Sequence, residues 1–476
     1  MHRALFFMHN YNDIDHMTPV IDSLMRTGRW QCDAVFYPAA TFGSVSFEKD
    51  WRLDYLHRTH NVTVSRIEDV APASKTLIRL FAFRNFLTRL CDATPRIGRL
   101  WGRDLRGLLP WFLAWRGWDH LLGFWLRHGS RLGAQLFTRF RPDVVAIDWG
   151  KTHNDITPVL ERAKREGVRV IELPHGAWTY EGVYSHASQF DPEKLQKRTR
   201  LPTTRSDAMV VDNLYKGYRS EIQGVERSRM RFLGLSRFTP QWLARLSGLP
   251  EGTADLQSSG KPRLVWFPTW LMACDVDAID ATLALLERYA DRLDIVLKVH
   301  TRNPVHEAAD YGRRLRPDSR IRLVANEEES FAVTRWADIV LITQSSIVYD
   351  AFLLEKPVLY LKYTHSFECM WEVDGVGDTL ENLEALEATL ERIVEGSYSP
   401  SYDSAAINRY LRLGVTGGLA PDAVLDSYVT LFDQAAAGDA LSAGLDFDTA
   451  EQHWRRLGRQ IVRSAIPVSE AEGSQA

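Results

Sequence analysis

Cysteine is scarce in this sequence. The 476 residues include four, Cys32, Cys91, Cys274 and Cys369. None lies near another at the spacing of metal ligands, so a zinc centre is not predicted. Isolated thiols also fit a reducing cytoplasm better than an oxidising compartment.

Long apolar runs are also lacking. No stretch reaches the ~20 uninterrupted apolar residues that a membrane-spanning helix needs. The short run at 4–8 stops at His9 without a small-residue cleavage site. It is therefore typical of a first buried strand rather than of a signal peptide.

A strong net charge is the third feature that is missing. The formal charge is -3, with 25% charged and 45% hydrophobic residues. This balance is that of a globular protein with no general attraction to nucleic acid, so any basic surface must be local.

Three ligand-binding motifs are absent. The sequence has no P-loop, no glycine-rich dinucleotide fingerprint and no paired aspartates at a strand end, which argues against ATP hydrolysis, hydride transfer and a magnesium site. We therefore predict no metal and no cofactor, and a nucleotide-activated donor would be a substrate.

Short apolar runs alternate with helical patterns along the chain. Runs of this kind, separated by helices, are typical of parallel sheets that are covered on both faces. The first series lies at 4–8, 34–37, 144–147, 168–173 and 208–211. The second lies at 264–267, 295–299, 321–324, 339–342 and 358–361.

The two series predict an α/β protein with two Rossmann-like doubly wound domains that face a cleft. A segment rich in turn residues at 249–260 separates them. We place the first domain at 1–240, the second at 260–420, and closing helices with a frayed tail at 421–476. The helix beginning near Pro421 is expected to cross back to the first domain.

Residues 75–141 interrupt the first domain with a basic, aromatic insertion. They hold thirteen Lys/Arg, three Asp/Glu and five tryptophans. One interpretation is a helical surface that lies on an anionic membrane leaflet. The other is an ordinary helical insertion, and the lack of a single amphipathic stripe favours it.

Polar residues at the carboxyl ends of the predicted strands are the candidate site, because ligands bind there in open parallel sheets. His175 follows a strand, between Pro174 and Gly176, and could act as a general base. Lys298, His300 and Arg302 lie at another strand end and suit a diphosphate. The alternatives are a loop histidine with a structural hydrogen bond and a strand edge paired with acids.

The strand at 339–342 opens into Ser345 and Ser346, where a helix cap belongs. Free backbone N–H groups at that point would bind donor phosphates, although the serines could merely cap the helix. Weaker candidates are Thr269 and Trp270 for the donor and Asp148 for the acceptor.

The end of the first strand supplies further acceptor-side candidates. Asp15 or His16 could replace His175 as the base, whereas Asp13 alone is better explained as a helix cap. The other residues in this group are His9, Asn10 and Asn12.

The stretch 337–361, with Ser345, Ser346 and Asp350, resembles the late C-terminal signature of CDP-glycerol glycerophosphotransferases and related capsule transferases. Pro174-His175-Gly176 and Lys298-Val299-His300 are similar to that family's histidine–glycine and lysine–histidine motifs. Thr343 and Gln344 depart from its usual acidic–aromatic pair.

The resemblance implies a glycosyltransferase-B (GT-B) fold and a metal-independent transferase of surface polysaccharide biosynthesis. It implies catalytic roles for His175 and His300, a CDP-, CMP- or UDP-linked donor and a glycan acceptor on a lipid carrier. The enzyme would lie in the cytoplasm, peripheral to the inner face of the plasma membrane.

Two other functions stay open. A non-hydrolysing UDP-amino-sugar 2-epimerase uses the same architecture but needs acidic groups for proton transfer at the sugar ring. A non-catalytic nucleotide- or carbohydrate-binding protein could also keep this fold.

Overall fold

The computed structural model describes residues 1–8, 11–36, 50–72, 76, 131–148, 156–182, 206–250, 255–269, 271, 274–299, 304–324, 329–366 and 368–459. These residues form two parallel β-sheets with helices between successive strands. The prediction of two Rossmann-like α/β domains is confirmed.

The first domain has a seven-stranded parallel sheet with the order β3-β2-β1-β4-β5-β6-β7. Its strands are β1 (His2–Met8), β2 (Trp30–Phe36), β3 (Thr63–Arg66), β4 (Val144–Asp148), β5 (Arg169–Leu173), β6 (Ala208–Val211) and β7 (Met230–Phe232). Its helices are α1 (Tyr11–Arg26), α2 (Trp51–His60), α3 (Ile67–Val70), α4 (Leu132–Phe140), α5 (Thr157–Glu166), α6 (Leu214–Ile222) and α7 (Pro240–Ser247).

The second domain has a six-stranded parallel sheet with the order β10-β9-β8-β11-β12-β13. Its strands are β8 (Arg263–Phe267), β9 (Asp294–Lys298), β10 (Arg322–Val324), β11 (Ile339–Ile342), β12 (Val358–Leu361) and β13 (Asp378–Leu380). Its helices are α8 (Val276–Tyr289), α9 (Pro304–Arg314), α10 (Ser330–Trp336), α11 (Val348–Leu353), α12 (Met370–Val373), α13 (Leu383–Val394) and α14 (Ser404–Gly414).

The last two described helices return to the first domain. They are α15 (Val424–Ala437) and α16 (Phe447–Arg456). Phe432 on α15 stacks on Phe6 of β1, with ring centroids 5.6 Å apart. Phe447 on α16 packs edge-on against Phe232 of β7. The chain therefore passes between the two domains twice, and this double crossing fixes them side by side.

Capping residues set many helix boundaries. Asp275 accepts from the N–H groups of Asp277 and Ala278 at the start of α8. Gly167, with φ at 70°, ends α5 in the left-handed conformation that glycine adopts without strain. These local signals explain why the predicted central elements lie within a few residues of the observed ones.

Three short strands were missed by the sequence analysis: β3, β7 and β13. They contain four, three and three residues and lie at or next to a sheet edge. So short a run has no readable two-residue alternation, and pairing with a neighbour that is distant in sequence decides its conformation.

Little of the predicted insertion at 75–141 belongs to the described residues. Its end forms α4, which buries Leu132, Leu136 and Phe137 in the first domain. The rest lies outside the described residues, apart from residue 76, so membrane contact there stays a prediction. Among the described helices, none has the length and apolar character needed to cross a bilayer.

Candidate functional site

A cavity of about 370 Å³ lies between the carboxyl ends of the two sheets. In each sheet the strand order reverses there, between β1 and β4 in the first domain and between β8 and β11 in the second. Crevices at such reversal points are where open α/β sheets bind ligands. The lining residues used below are, from the first domain, Asn12, Asp15, His16, His175, Gly176, Lys216 and Arg237, and from the second, Lys298, Val299, Glu329, Ser345 and Ser346.

His175 lies in the cavity wall between two buried carboxylates. Its Nδ1 is 2.8 Å from Asp148 Oδ2 and 3.1 Å from Asp13 Oδ1. Burial lowers the pKa of His175, but Asp148 and Asp13 more than offset it and raise the pKa to about 8. The ring is therefore largely protonated at neutral pH, and Nε2, on the edge away from the carboxylates, can donate to a ligand.

Two of these positions differ from their predicted roles. Asp13, a predicted helix cap, lies inside the first turn of α1, which begins at Tyr11, and its Oδ1 contacts His175. Asp148 was proposed to bind an acceptor, but it is 2% exposed and lies behind His175. Both carboxylates thus stabilise the positive charge of the His175 imidazolium.

Asp13, Asp148 and His175 are also the group of described residues that could hold a metal ion. Their ligand atoms all lie within 4.8 Å of one another. Two carboxylates and an imidazole are suitable ligands for a divalent cation. A cation would have to displace the proton from Nδ1, because only a neutral imidazole binds a metal. The absence of a metal therefore stays a prediction.

His16 lines the same cavity in a different environment. It is 4% exposed, and its Nδ1 has no hydrogen-bond partner in the described part of the chain. Burial lowers the pKa of His16 to about 4, against the opposing effect of Asp15, while Arg237 and His175 lower it further. Of the described residues that line the cavity, His175 is therefore mostly protonated and His16 mostly neutral at neutral pH.

The second domain contributes Lys298, Ser345 and Ser346 to the opposite wall. Lys298 ends β9 and is 2% exposed, so its aliphatic stem is enclosed. The two serines form a turn before α11, in which their carbonyl groups accept from Val348 and Tyr349. These hydroxyl and ammonium groups could donate to a phosphate.

The predicted helix cap at the two serines is not formed as expected. The helix begins at Val348 and has six residues, and its N-cap position is Ile347 without a side-chain cap. A helix this short brings little dipole to its N-terminus, because the dipole is the sum over aligned peptide units. The two serines therefore supply side-chain hydroxyls, rather than a helix N-terminus, to the cavity.

The structure places two other predicted donor residues away from the cavity wall. Asp350 is 1% exposed and is bonded to Arg237 at 2.9 Å. Thr269 is buried and donates to Gln344, which in turn donates to Thr179 of the first domain. Five predicted site residues lie outside the described residues: His9, Asn10, Trp270, His300 and Arg302.

The predicted confrontation of His175 and His300 therefore stays a prediction. The strand end that precedes His300 does face His175, since Lys298 and Val299 line the same cavity. Gly176 and Asn12 also lie there, and a Cβ at Gly176 would be 3.8 Å from Asn12 Nδ2.

Sequence reasoning missed three charged residues that line the cavity: Arg237, Lys216 and Glu329. Lys216 lies in the first turn of α6, where its ammonium is 5.0 Å from the centroid of the Trp178 ring. Burial lowers the pKa of Lys216 to about 8, against the opposing effect of Asp212. Their signal was weak, because none of the three immediately follows a predicted apolar run.

Two facing doubly wound domains with a ligand-sized cavity at both reversal points define the GT-B class of α/β proteins. Two solved structures of this architecture resemble the chain. UDP-GlcNAc 2-epimerase from Neisseria meningitidis, bound to UDP-GlcNAc, has a TM-score of 0.52 and 12% identity, covering 91% of this chain and 100% of that one. The MnaA–UDP structure from S. aureus has a TM-score of 0.52 and 12% identity, covering 94% and 99%.

No protein-family model matches the sequence. No curated protein matches it either. At 12% identity the structural likeness establishes the fold. The GT-B architecture is confirmed, but the glycerophosphotransferase resemblance finds no support.

The prediction of a transferase is wrong on this comparison. Two of the matching structures, which cover 91% and 92% of this chain, are UDP-GlcNAc 2-epimerases. The short serine motif that suggested a transferase lies at a strand end that the whole architecture shares. The serine motif is therefore evidence for the fold and not for the reaction.

Proposed function

We propose that this chain binds a UDP-linked amino sugar in the cavity between its domains and inverts the sugar at carbon 2. The observation that carries the proposal is the pair of imidazoles that line one cavity, His175 beside the buried carboxylates Asp13 and Asp148, and His16 buried without a hydrogen-bond partner at Nδ1 among the described residues. The epimerase alternative required acidic groups for proton transfer at the sugar ring; here two histidines would take that part, and the acids Asp13 and Asp148 lie behind His175.

Inversion requires that the C2–H bond be broken and re-formed on the other face of the ring. No carbonyl group adjoins C2, so the proton is not acidic by itself. Departure of UDP from C1 in the same step leaves a C1=C2 double bond and makes proton removal feasible. Return of UDP to C1, with a proton delivered to the other face of C2, completes the reaction without an external oxidant.

The residues match these requirements by charge. Neutral His16 can accept the C2 proton, and protonated His175 can deliver one from Nε2. Lys298 and the Ser345–Ser346 turn, on the other wall, can stabilise the negative charge that grows on the departing diphosphate. The cavity volume of about 370 Å³ lies within the range of small-molecule sites.

The test is epimerisation in deuterated water with UDP-GlcNAc and no acceptor. We expect the epimer UDP-ManNAc to form and deuterium to enter at C2, both followed by proton NMR. His175→Gln protein and UDP-glucose are the matched controls, since the first lacks the proton donor and the second lacks the amino sugar. UDP binding without product or deuterium exchange would leave a binding protein as the better account.

A further inference from the structure

Two arginines, Arg237 partly buried and Arg459 buried, bridge the two domains. Arg237, which follows β7, donates from Nη1 to Asp15 on α1 and from Nη2 to Asp350 on α11 of the second domain, the latter at 2.9 Å. Arg459, which follows α16, donates to Glu181 of the first domain and to Asp374 of the second. Each guanidinium therefore joins one carboxylate from each domain.

The two bridges are alike in burial. The side chain of Arg459 is 6% exposed and its carboxylates are 10% and 7% exposed. The side chain of Arg237 is 15% exposed, with Asp15 at 10% and Asp350 at 1%. Charge-assisted hydrogen bonds in such places are stronger and more directional than those at a surface.

The two arginines differ in position: Arg237 lines the cavity and Arg459 does not. A guanidinium has five N–H donors in a rigid plane. Among the described residues, Asp15 and Asp350 each accept one hydrogen bond from Arg237. The other N–H groups have no acceptor in the described part of the chain and are available to a ligand.

The orientation of Arg237 is fixed from both sides. Asp15 is itself held by Arg52 at 2.7 Å, and Arg52 is held by Asp50 at 2.6 Å. Burial raises the pKa of Asp350 to about 7, against the opposing effect of Arg237. Burial lowers the pKa of Arg237, but Asp15, Asp350 and Glu329 more than offset it and raise the pKa above its usual value, so the guanidinium stays charged at the cavity.

We propose that Arg237 is a phosphate-binding residue that also holds the two walls of the cavity in register. It would donate to a diphosphate oxygen of the ligand while it bridges Asp15 and Asp350. The inference rests on the proposed function for the ligand class, a nucleoside diphosphate. The parallel Arg459 bridge joins the same domains but does not line the cavity.

The experiment is calorimetric titration of the full chain with UDP and with inorganic pyrophosphate. The variants are Arg237→Met, Arg237→Lys and the matched control Arg459→Met. We expect Arg237→Met to weaken both ligands by about tenfold to a hundredfold, since a charge-assisted hydrogen bond is lost. Arg237→Lys should recover part of the loss, because the positive charge is kept. The recovery should be incomplete, because one ammonium cannot bridge both carboxylates and a phosphate.

Arg459→Met should lower the melting temperature and leave the affinity for UDP within about twofold, since only a domain contact is lost. Equal losses of UDP affinity in Arg237→Met and Arg459→Met would show that both arginines act only through the fold and would overturn the proposal. Where Arg237→Met alone is too unstable, the double variant Arg237→Met/Asp350→Asn removes the unpaired buried carboxylate.

The outcomes separate this inference from the proposed function. Arginine-dependent binding of UDP in a protein that forms no epimer would leave the inference standing and remove the reaction. Epimerisation by the Arg237→Met variant with unchanged UDP affinity would support the reaction and overturn the role of Arg237. A wild-type chain that binds neither probe would overturn both.

Discussion

The charge of His175 depends on carboxylates that lie far from it in the sequence. Asp13 reaches its Nδ1 from the first turn of α1, and Asp148 from the end of β4. We expect Asp148→Asn to lower the pKa of His175 from about 8 toward 6.5, because the carboxylate that most favours the imidazolium is lost. Histidine side-chain NMR across pH 4–10 measures it, with the remote Asp338→Asn as control; an unmoved His175 signal would contradict the prediction.

The same contact predicts how stability depends on pH. The folded pKa of His175 is about 8 and its unfolded value 6.5, so its contribution is fully present below 6.5 and lost as pH rises through 8. It amounts to at most about 2 kcal/mol. Urea unfolding should therefore show a larger gap between wild type and His175→Gln at pH 6 than at pH 9. A gap of the same size at both would contradict this sign.

His16 differs from His175 in its protonation state. Its pKa of about 4 keeps the ring neutral at the pH where His175 is charged. We expect His16→Gln to lower kcat for epimerisation by about 10²–10⁴-fold, since general-base catalysis is lost. UDP affinity, measured by calorimetry, should change less than about threefold. The reason is that His16 is assigned to the C2 proton of the sugar and not to the diphosphate. An equal loss of affinity and kcat would indicate a structural role.

At the scale of elements, the turn after β7 needs glycine because another backbone passes close to it. Gly234 has φ at 79°, and a Cβ there would lie 2.4 Å from Thr416 Cα. We expect Gly234→Ala to cost well over the ~1 kcal/mol that the backbone conformation alone costs an alanine. Gly224→Ala is the matched control, with φ at 84° and no atom within 4 Å. Equal changes in melting temperature would contradict the argument.

The central elements could be predicted because their signals are local. Continuous apolar runs identified β1, β4, β8 and β11, which carry the site at their ends. The short edge strand β13 could not be found, since its pairing with β12 decides its conformation. Ser345 and Ser346 were located correctly at a strand end, but their capping geometry depends on how the six-residue α11 packs.

At the scale of the whole molecule, α15 ties the end of the chain to the first sheet. Phe432 stacks on Phe6 and meets Trp30 edge-on at 5.9 Å. We expect Phe432→Ala to lower the free energy of unfolding by about 3–5 kcal/mol, as truncation leaves a cavity in the core. Thr430→Ala on the exposed side of the same helix should change it by less than about 0.5 kcal/mol. Denaturant unfolding measures both, and similar effects would show that α15 is not part of the core.

The sequence by itself determined the two-domain α/β architecture, the strand ends that line the cavity, and the candidates Asp15, His16, His175, Lys298 and the two serines. Those features follow from apolar periodicity and from the rule for parallel sheets, both of which are readable over short windows.

Only the tertiary structure decided what these residues can do. The partners of His175 and Arg237 are 113 to 222 residues away in several cases, for example Asp350 and Asp15. Charge states and domain bridges arise from such distant contacts, because electrostatic interactions depend on separation in space and on burial rather than on position along the chain.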